Sequence, residues 1–163
     1  VLYLLDSNVL IDANRDYYPL DRVPEFWDWL LHIASLTRVR IPTEIYEELK
    51  EGNDALKDWV VDYQEDMVLV ETVSEESVSY VLDEGYANDL NDEEIEKIGM
   101  DPFLIAYAME DIENRCVVTT EASKPKKKRA NRHMPDVCGY LNVKSCDTFG
   151  FLREMDFRTN WRT

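Results

Sequence analysis

The chain has 163 residues, enough for one domain to bury a core without disulfide or metal staples. Its 34 Asp and Glu against 18 Lys and Arg give a formal net charge of −16, which excludes a protein that grips nucleic-acid phosphates over its whole surface. Three cysteines, Cys116, Cys138 and Cys146, lie in separate segments without CxxC spacing, which excludes a disulfide framework and predicts reduced thiols. No apolar run approaches the roughly 18 residues of a membrane span, and no secretory leader is legible, so the expectation is a cytoplasmic protein away from membranes.

Taken in order, Leu2 to Leu5 is a fully apolar run, expected in the middle of a parallel sheet buried on both faces. Val23 to Ser35 has the apolar spacing of an amphipathic helix. Val39 to Ile41 predicts a second strand, followed at once by a helix from Pro42 to Lys50 with Pro42 at its first position. Gly52-Asn53-Asp54 breaks the chain and caps a helix from Ala55 to Tyr63. A third short strand is expected at Val68 to Val70. Two acidic helices, Ser74 to Leu82 and Asp89 to Ile98, are separated by Gly85. Pro102 to Asp111 predicts a buried helix and Cys116 to Thr119 a strand. After the basic loop Lys124 to His133, a short helix starts at Pro135. A strand at Val143 to Cys146 and a helix at Thr148 to Met155 close the chain. The alternation predicts a three-layer α/β/α domain with a central, mostly parallel sheet, spanning 1–163 without repeats or linkers.

Four acids fall where strands hand over to loops or helices: Asp6, Glu48, Asp101 and Glu121. Ligands of open parallel sheets bind beyond the carboxyl ends of the strands. Carboxylates gathered there without matching Lys or Arg repel one another unless a cation joins them. All-oxygen donors suit Mg²⁺ or Mn²⁺, one ion or two, and the implied chemistry is metal-dependent phosphodiester hydrolysis. Ser7, Asn8 and Thr119 are placed to support these acids. Competing explanations exist for each. Asp6 with Ser7-Asn8 is turn chemistry, Asp101 before Pro102 is a helix N-cap, Glu44 answers the helix dipole, and Glu121 is a loop acid beside lysines.

Leu4-Leu5-Asp6-Ser7-Asn8-Val9-Leu10-Ile11, Ile41-Pro42-Thr43-Glu44-Ile45-Tyr46-Glu47-Glu48-Leu49, Met100-Asp101-Pro102-Phe103-Leu104-Ile105-Ala106-Tyr107-Ala108 and Val117-Val118-Thr119-Thr120-Glu121 form an ordered set. This set resembles the PIN-domain nucleases, which include VapC-type toxins, across Val1 to Glu121. The remainder looks like a little-characterised bacterial and archaeal subgroup of them. The resemblance implies a PIN-like fold and a Mg²⁺- or Mn²⁺-dependent endoribonuclease acting on RNA, as the toxin of a toxin–antitoxin pair. It also implies a cognate antitoxin partner and a homodimer. Asp6, Glu48, Asp101 and Glu121 would be its catalytic metal ligands. The family carries Asp or Asn where this chain has Glu121, one methylene longer.

The segment from Lys124 to His133 holds Lys124, Lys126, Lys127, Lys128, Arg129 and Arg132 in an otherwise acidic chain. Directly after Glu121, it is placed to grip substrate phosphate; the plainer account is a solvated loop. The alternative function is a catalytically impaired PIN-fold protein that binds RNA or a protein without cutting. A receiver-type phosphoacceptor also needs acids at strand ends, but it wants a lysine at a late strand end that this pattern lacks.

Overall fold

The computed structural model describes residues 1–163 and contains a four-stranded, all-parallel sheet in the order β2-β1-β3-β4. The strands are β1 (Leu2–Leu5), β2 (Val39–Arg40), β3 (Arg115–Val118) and β4 (Lys144–Cys146). Tyr3 lies opposite Val39 on one side and Cys116 on the other, so β1 is internal. An internal strand between two helical layers meets water on neither face, which is why Tyr3, Leu4 and Leu5 are all apolar and buried. Helices flank the sheet, giving the expected three-layer α/β/α fold.

The helices are α1 (Ser7–Asp12), α2 (Pro24–Ser35), α3 (Thr43–Lys50), α4 (Ala55–Asp62), α5 (Gln64–Met67), α6 (Glu75–Tyr80), α7 (Asp92–Ile98), α8 (Asp101–Met109), α9 (Met134–Tyr140) and α10 (Thr148–Glu154). In α2, Phe26, Trp27, Trp29, Leu30 and Ile33 recur at helical spacing and turn into the core. The Trp27 indole N–H donates to the carbonyl of Tyr18 at 2.7 Å, so its one polar atom is satisfied. His32, on the same helix, stacks on Trp161 with ring centroids 4.9 Å apart.

Three local expectations and two competing explanations are corrected. Pro42 is the N-cap of α3, extended at ψ 156°, and the helix proper begins at Thr43. Val68 makes a single parallel bridge with Ile41 instead of opening a strand, since Val70 is 93% exposed and brings no buried surface to hold one. The chain after Asp6 does not turn; it enters α1 directly and continues as a π-helical turn, Ala13–Tyr17. Asp101 is the first residue of α8 and Met100 its N-cap.

Gly85, the fifth, does not separate two helices. It lies buried inside a π-helical turn, Val81–Tyr86, that extends α6. A Cβ there would stand 2.7 Å from Val137 Cγ1 and 3.3 Å from Leu141 Cδ1. Gly85→Ala should therefore lower stability by about 1–3 kcal/mol, as overpacking does. Urea denaturation checks this; an unchanged midpoint would mean that α9 yields freely.

Candidate active site

After β1 the chain moves to β2 on one side of the sheet, and only later to β3 on the other. The reversal leaves a crevice at the carboxyl ends of β1 and β3, where open α/β sheets bind ligands. Asp6 stands at its floor. Its backbone N–H bonds to the Val118 carbonyl at 3.0 Å, extending the β1–β3 ladder by one residue. Asp6 is the N-cap of α1, yet its carboxylate caps nothing. Instead it faces the hydroxyls of Ser7 (3.4 Å) and Thr119 (3.4 Å) and is 4% exposed.

These hydroxyls tie the centre together. Ser7 Oγ lies 3.2 Å from Glu48 Oε2 as well as 3.4 Å from Asp6 Oδ1. One hydroxyl proton cannot serve two ionised carboxylates at once, so with both charged one of these contacts is unsatisfied. Thr119, 1% exposed at the end of β3, receives the Glu121 N–H on its hydroxyl at 3.2 Å. That turn sets Glu121 beside Asp6. Glu121 Oε2 accepts the Met134 N–H at 2.6 Å, anchoring the carboxylate to the start of α9. Asn8 is exposed on α1 and makes no side-chain hydrogen bond.

Glu48 comes from α3, where Ile45, Tyr46 and Leu49 face the core and Glu48 lies on the flank toward Ser7. Glu44 belongs elsewhere: it accepts a hydrogen bond from the Tyr107 hydroxyl at 3.3 Å. Asp101, at the start of α8, completes the group. Burial, then the charges of Asp6, Glu121 and Glu48, push its carboxyl up to about 8. Burial, then Glu48 and Glu121, push Asp6 up to about 6, with the Ser7 backbone N–H and the Thr119 hydroxyl offsetting part of the rise. Burial also raises Glu48. Four acids from four separate elements thus share one field.

No three His, Cys, Asp or Glu side chains are set in finished metal-holding geometry. The donor set is nonetheless all carboxylate and hydroxyl oxygen, which fits a hard dication such as Mg²⁺ or Mn²⁺ and suits a soft metal poorly.

A cleft of about 280 Å³ opens beside these acids, with Asp101 and Glu121 on one wall. Lys127, Arg132 and His133 from the basic loop form the other, so the loop does border the acidic centre. It is fastened there. Arg129 bonds Asp89 at 2.7 Å and Glu94 at 3.0 Å, which holds its backbone in the left-handed region at φ 55°. Arg132 donates to the carbonyls of Gly85 and Asp136. The Asp136 carboxylate receives the Ser123 hydroxyl at 2.5 Å and the Lys124 N–H at 2.8 Å. Arg129 therefore serves as a strap, and among the loop lysines it is Lys127 that lines the cleft, with Lys124, Lys126 and Lys128 outside it.

Outside the acids and the basic loop, the polar lining residues are Lys97 of α7 and Tyr86, which the sequence pattern does not mark. Tyr86 closes the π-helical turn, and its buried hydroxyl has no hydrogen-bond partner. Only the tertiary path of that turn brings it here, so no sequence signal marks it.

The chain matches the family described as Domain of unknown function (DUF4411) over residues 3–159. It belongs to that family. No curated protein and no solved structure gives a significant match. The match spans the strand-end acids and the basic loop alike.

Proposed function

We propose that the chain is a Mg²⁺- or Mn²⁺-dependent endoribonuclease. The observation that carries this reading is the gathering of Asp6, Glu48, Asp101 and Glu121, from four separate elements, at the reversal point of a parallel sheet. The PIN-like order of these acids along the chain supports it and adds the toxin role, the antitoxin partner, the homodimer and the cytoplasmic setting. No helix is long and apolar enough to cross a membrane.

The acids would hold the cation, which supplies a hydroxide near neutral pH and screens charge on the phosphate. Asp6 and Asp101, buried and half-buried at the crevice floor, form the core of the ligand set. Ser7 orients Glu48, and Thr119 fixes Asp6 and the Glu121 turn. Lys127 faces the substrate side of the cleft, where its charge attracts the phosphate backbone.

A mixed single-stranded RNA pool should be cut in Mn²⁺ and left intact in EDTA. Asp6→Asn should cut more than about 100-fold more slowly, since losing even outer ligand support costs 10–100-fold. RNA binding without cutting would favour the impaired-regulator reading, for which the commitment of Glu121 to the Met134 N–H is the supporting observation.

The loop has its own test. Lys127→Ala should weaken RNA binding and flatten its salt dependence by about 0.7 log-log unit for one lost single-strand contact. Lys126→Ala and Lys128→Ala, outside the cleft, should change the slope less. Equal slopes in all three would reduce the loop to a diffuse positive field.

A further inference from the structure

We propose that a second pocket beside the acidic centre, sharing no residue with the basic cleft, is a nucleobase subsite that packs one unpaired base of the RNA against Phe149 and Tyr17 and favours guanine. The inference deepens the nuclease reading and takes its substrate, single-stranded RNA, from it. The subsite itself rests on other observations.

The pocket, about 230 Å³, is lined by Asp12 at the end of α1, by Tyr17 and Thr120, and by Asp147, Thr148 and Phe149 at the start of α10. Phe149 is 50% exposed. A lone exposed apolar ring is ordinary, but this one stands against a second: the Tyr17 centroid lies 5.5 Å away at an interplanar angle of 45°. Tyr17 in turn meets Tyr18 edge-on at 5.3 Å, and Tyr18 stacks on core Phe26 at 4.7 Å. The two rings are thus braced from the core, so a flat ligand finds them already in place. Unpaired bases are held on aromatic faces of this kind.

The polar rim selects among flat ligands. Asp147 Oδ1 accepts the Gly150 N–H at 2.6 Å and Asp12 Oδ1 accepts from Arg15 at 3.0 Å, while the second oxygen of each accepts nothing from the chain. No Lys or Arg lines the pocket, so it repels phosphate and suits a neutral group rich in N–H donors. Guanine alone among the bases presents a ring N–H and an exocyclic amino group side by side, a pair that one carboxylate accepts. The pocket also adjoins the acids. Thr120, half-buried, stands between Thr119, which faces Asp6, and Glu121. Asp12 lies the length of α1 from Ser7, roughly 8 Å along the helix axis. That span is on the order of one nucleotide in an extended strand, so a phosphate at the acids brings a neighbouring base to the pocket.

The test compares two short RNA strands by fluorescence anisotropy in Ca²⁺: one of uridine with a single guanosine, the other all uridine. The full-length wild type should hold the guanosine strand several-fold more tightly. Phe149→Leu keeps the bulk and removes the flat face. It should weaken that strand about fivefold or more, the worth of a stacked base, and leave the thermal midpoint level because half the ring is already exposed. Asp147→Asn keeps the cap of α10 and should erase most of the preference for guanosine. If Phe149→Leu melts earlier, the strand preference of Asp147→Asn decides alone. A wild type that binds neither strand, or both equally, overturns the subsite, as does unchanged binding by both variants. If the wild type prefers guanosine through Phe149 but never cuts RNA in Mn²⁺, the nuclease reading fails and the subsite stands. If it cuts RNA in Mn²⁺ and both variants bind and cut unchanged, the subsite fails and the nuclease reading stands.

Discussion

Asp101→Asn should make the protein more stable at pH 8 and leave it without RNA cleavage. The side chain begins α8 but is not its cap, and burial and three like charges act on it without a compensating hydrogen bond. Asn keeps the shape and removes the charge. At about pH 3, where the carboxyl is protonated in the folded and the unfolded chain alike, the two proteins should unfold at the same temperature. At pH 8 the variant should gain on the order of a few kcal/mol, given about 1.4 kcal/mol for each factor of ten in proton affinity. Cleavage should fall more than about 100-fold because a charged cation ligand is lost. Thermal melts at both pH values and a Mn²⁺ cleavage assay measure this. A variant that melts earlier at pH 8 would show that the Asp101 charge is neutralised by a group within the fold.

The wild type should lose stability as pH rises from about 4 to about 8, and Mn²⁺ should restore it. Asp6 at about 6 and Asp101 at about 8 both lie above the ordinary carboxyl value near 3.8. A carboxyl raised on folding binds its proton more tightly in the native state. Its contribution is therefore most favourable when protonated and declines as pH climbs from the unfolded value through the folded one. The Asp6 window closes near 6 and the Asp101 window near 8. Because the Asp6 charge helps to raise Asp101, the two losses are not independent. Arg129 lowers Asp89 and Glu94, so these acids act oppositely, losing stability only in stronger acid. The result is a midpoint that peaks near the ordinary carboxyl value, about pH 4. A dication that binds the acids should raise the midpoint most at the alkaline end and flatten the slope. A melt at pH 8 indifferent to millimolar Mn²⁺ would count against a cation at these acids.

The strands were legible because a sheet buried on both faces demands unbroken apolar runs, and Leu2–Leu5 and Arg115–Val118 contain them. The helix positions of α2, α3 and α8 followed from apolar spacing for the same reason. The acids were legible because charge at the end of such a run is costly and conspicuous. What failed was local polar chemistry with two uses. Ser7-Asn8 suits a turn as well as a first helical turn, and burial of Val9 and Leu10 decides for the helix. Asp101-Pro102 suits a cap as well as a helix start, and the backbone places Met100 in the cap position. Gly85 reads as a breaker, while its missing side chain is needed for α9 to approach. The basic loop was visible as a charge run, but its division into the strap Arg129 and the cleft residue Lys127 depends on where Asp89 and Glu94 lie in space. Tyr86 and Lys97 reach the cleft through the same long-range packing.

The most direct measurement is the anomalous difference map of a crystal soaked in Mn²⁺. The expected result is a peak in the crevice beyond β1 and β3, with oxygens of Asp6 and Asp101 at coordination distance, about 2.0–2.2 Å, and Glu48 or Glu121 rotated toward it. A crevice empty of metal, with Mn²⁺ bound only by exposed helix acids such as Glu75 or Glu93, would contradict the assignment.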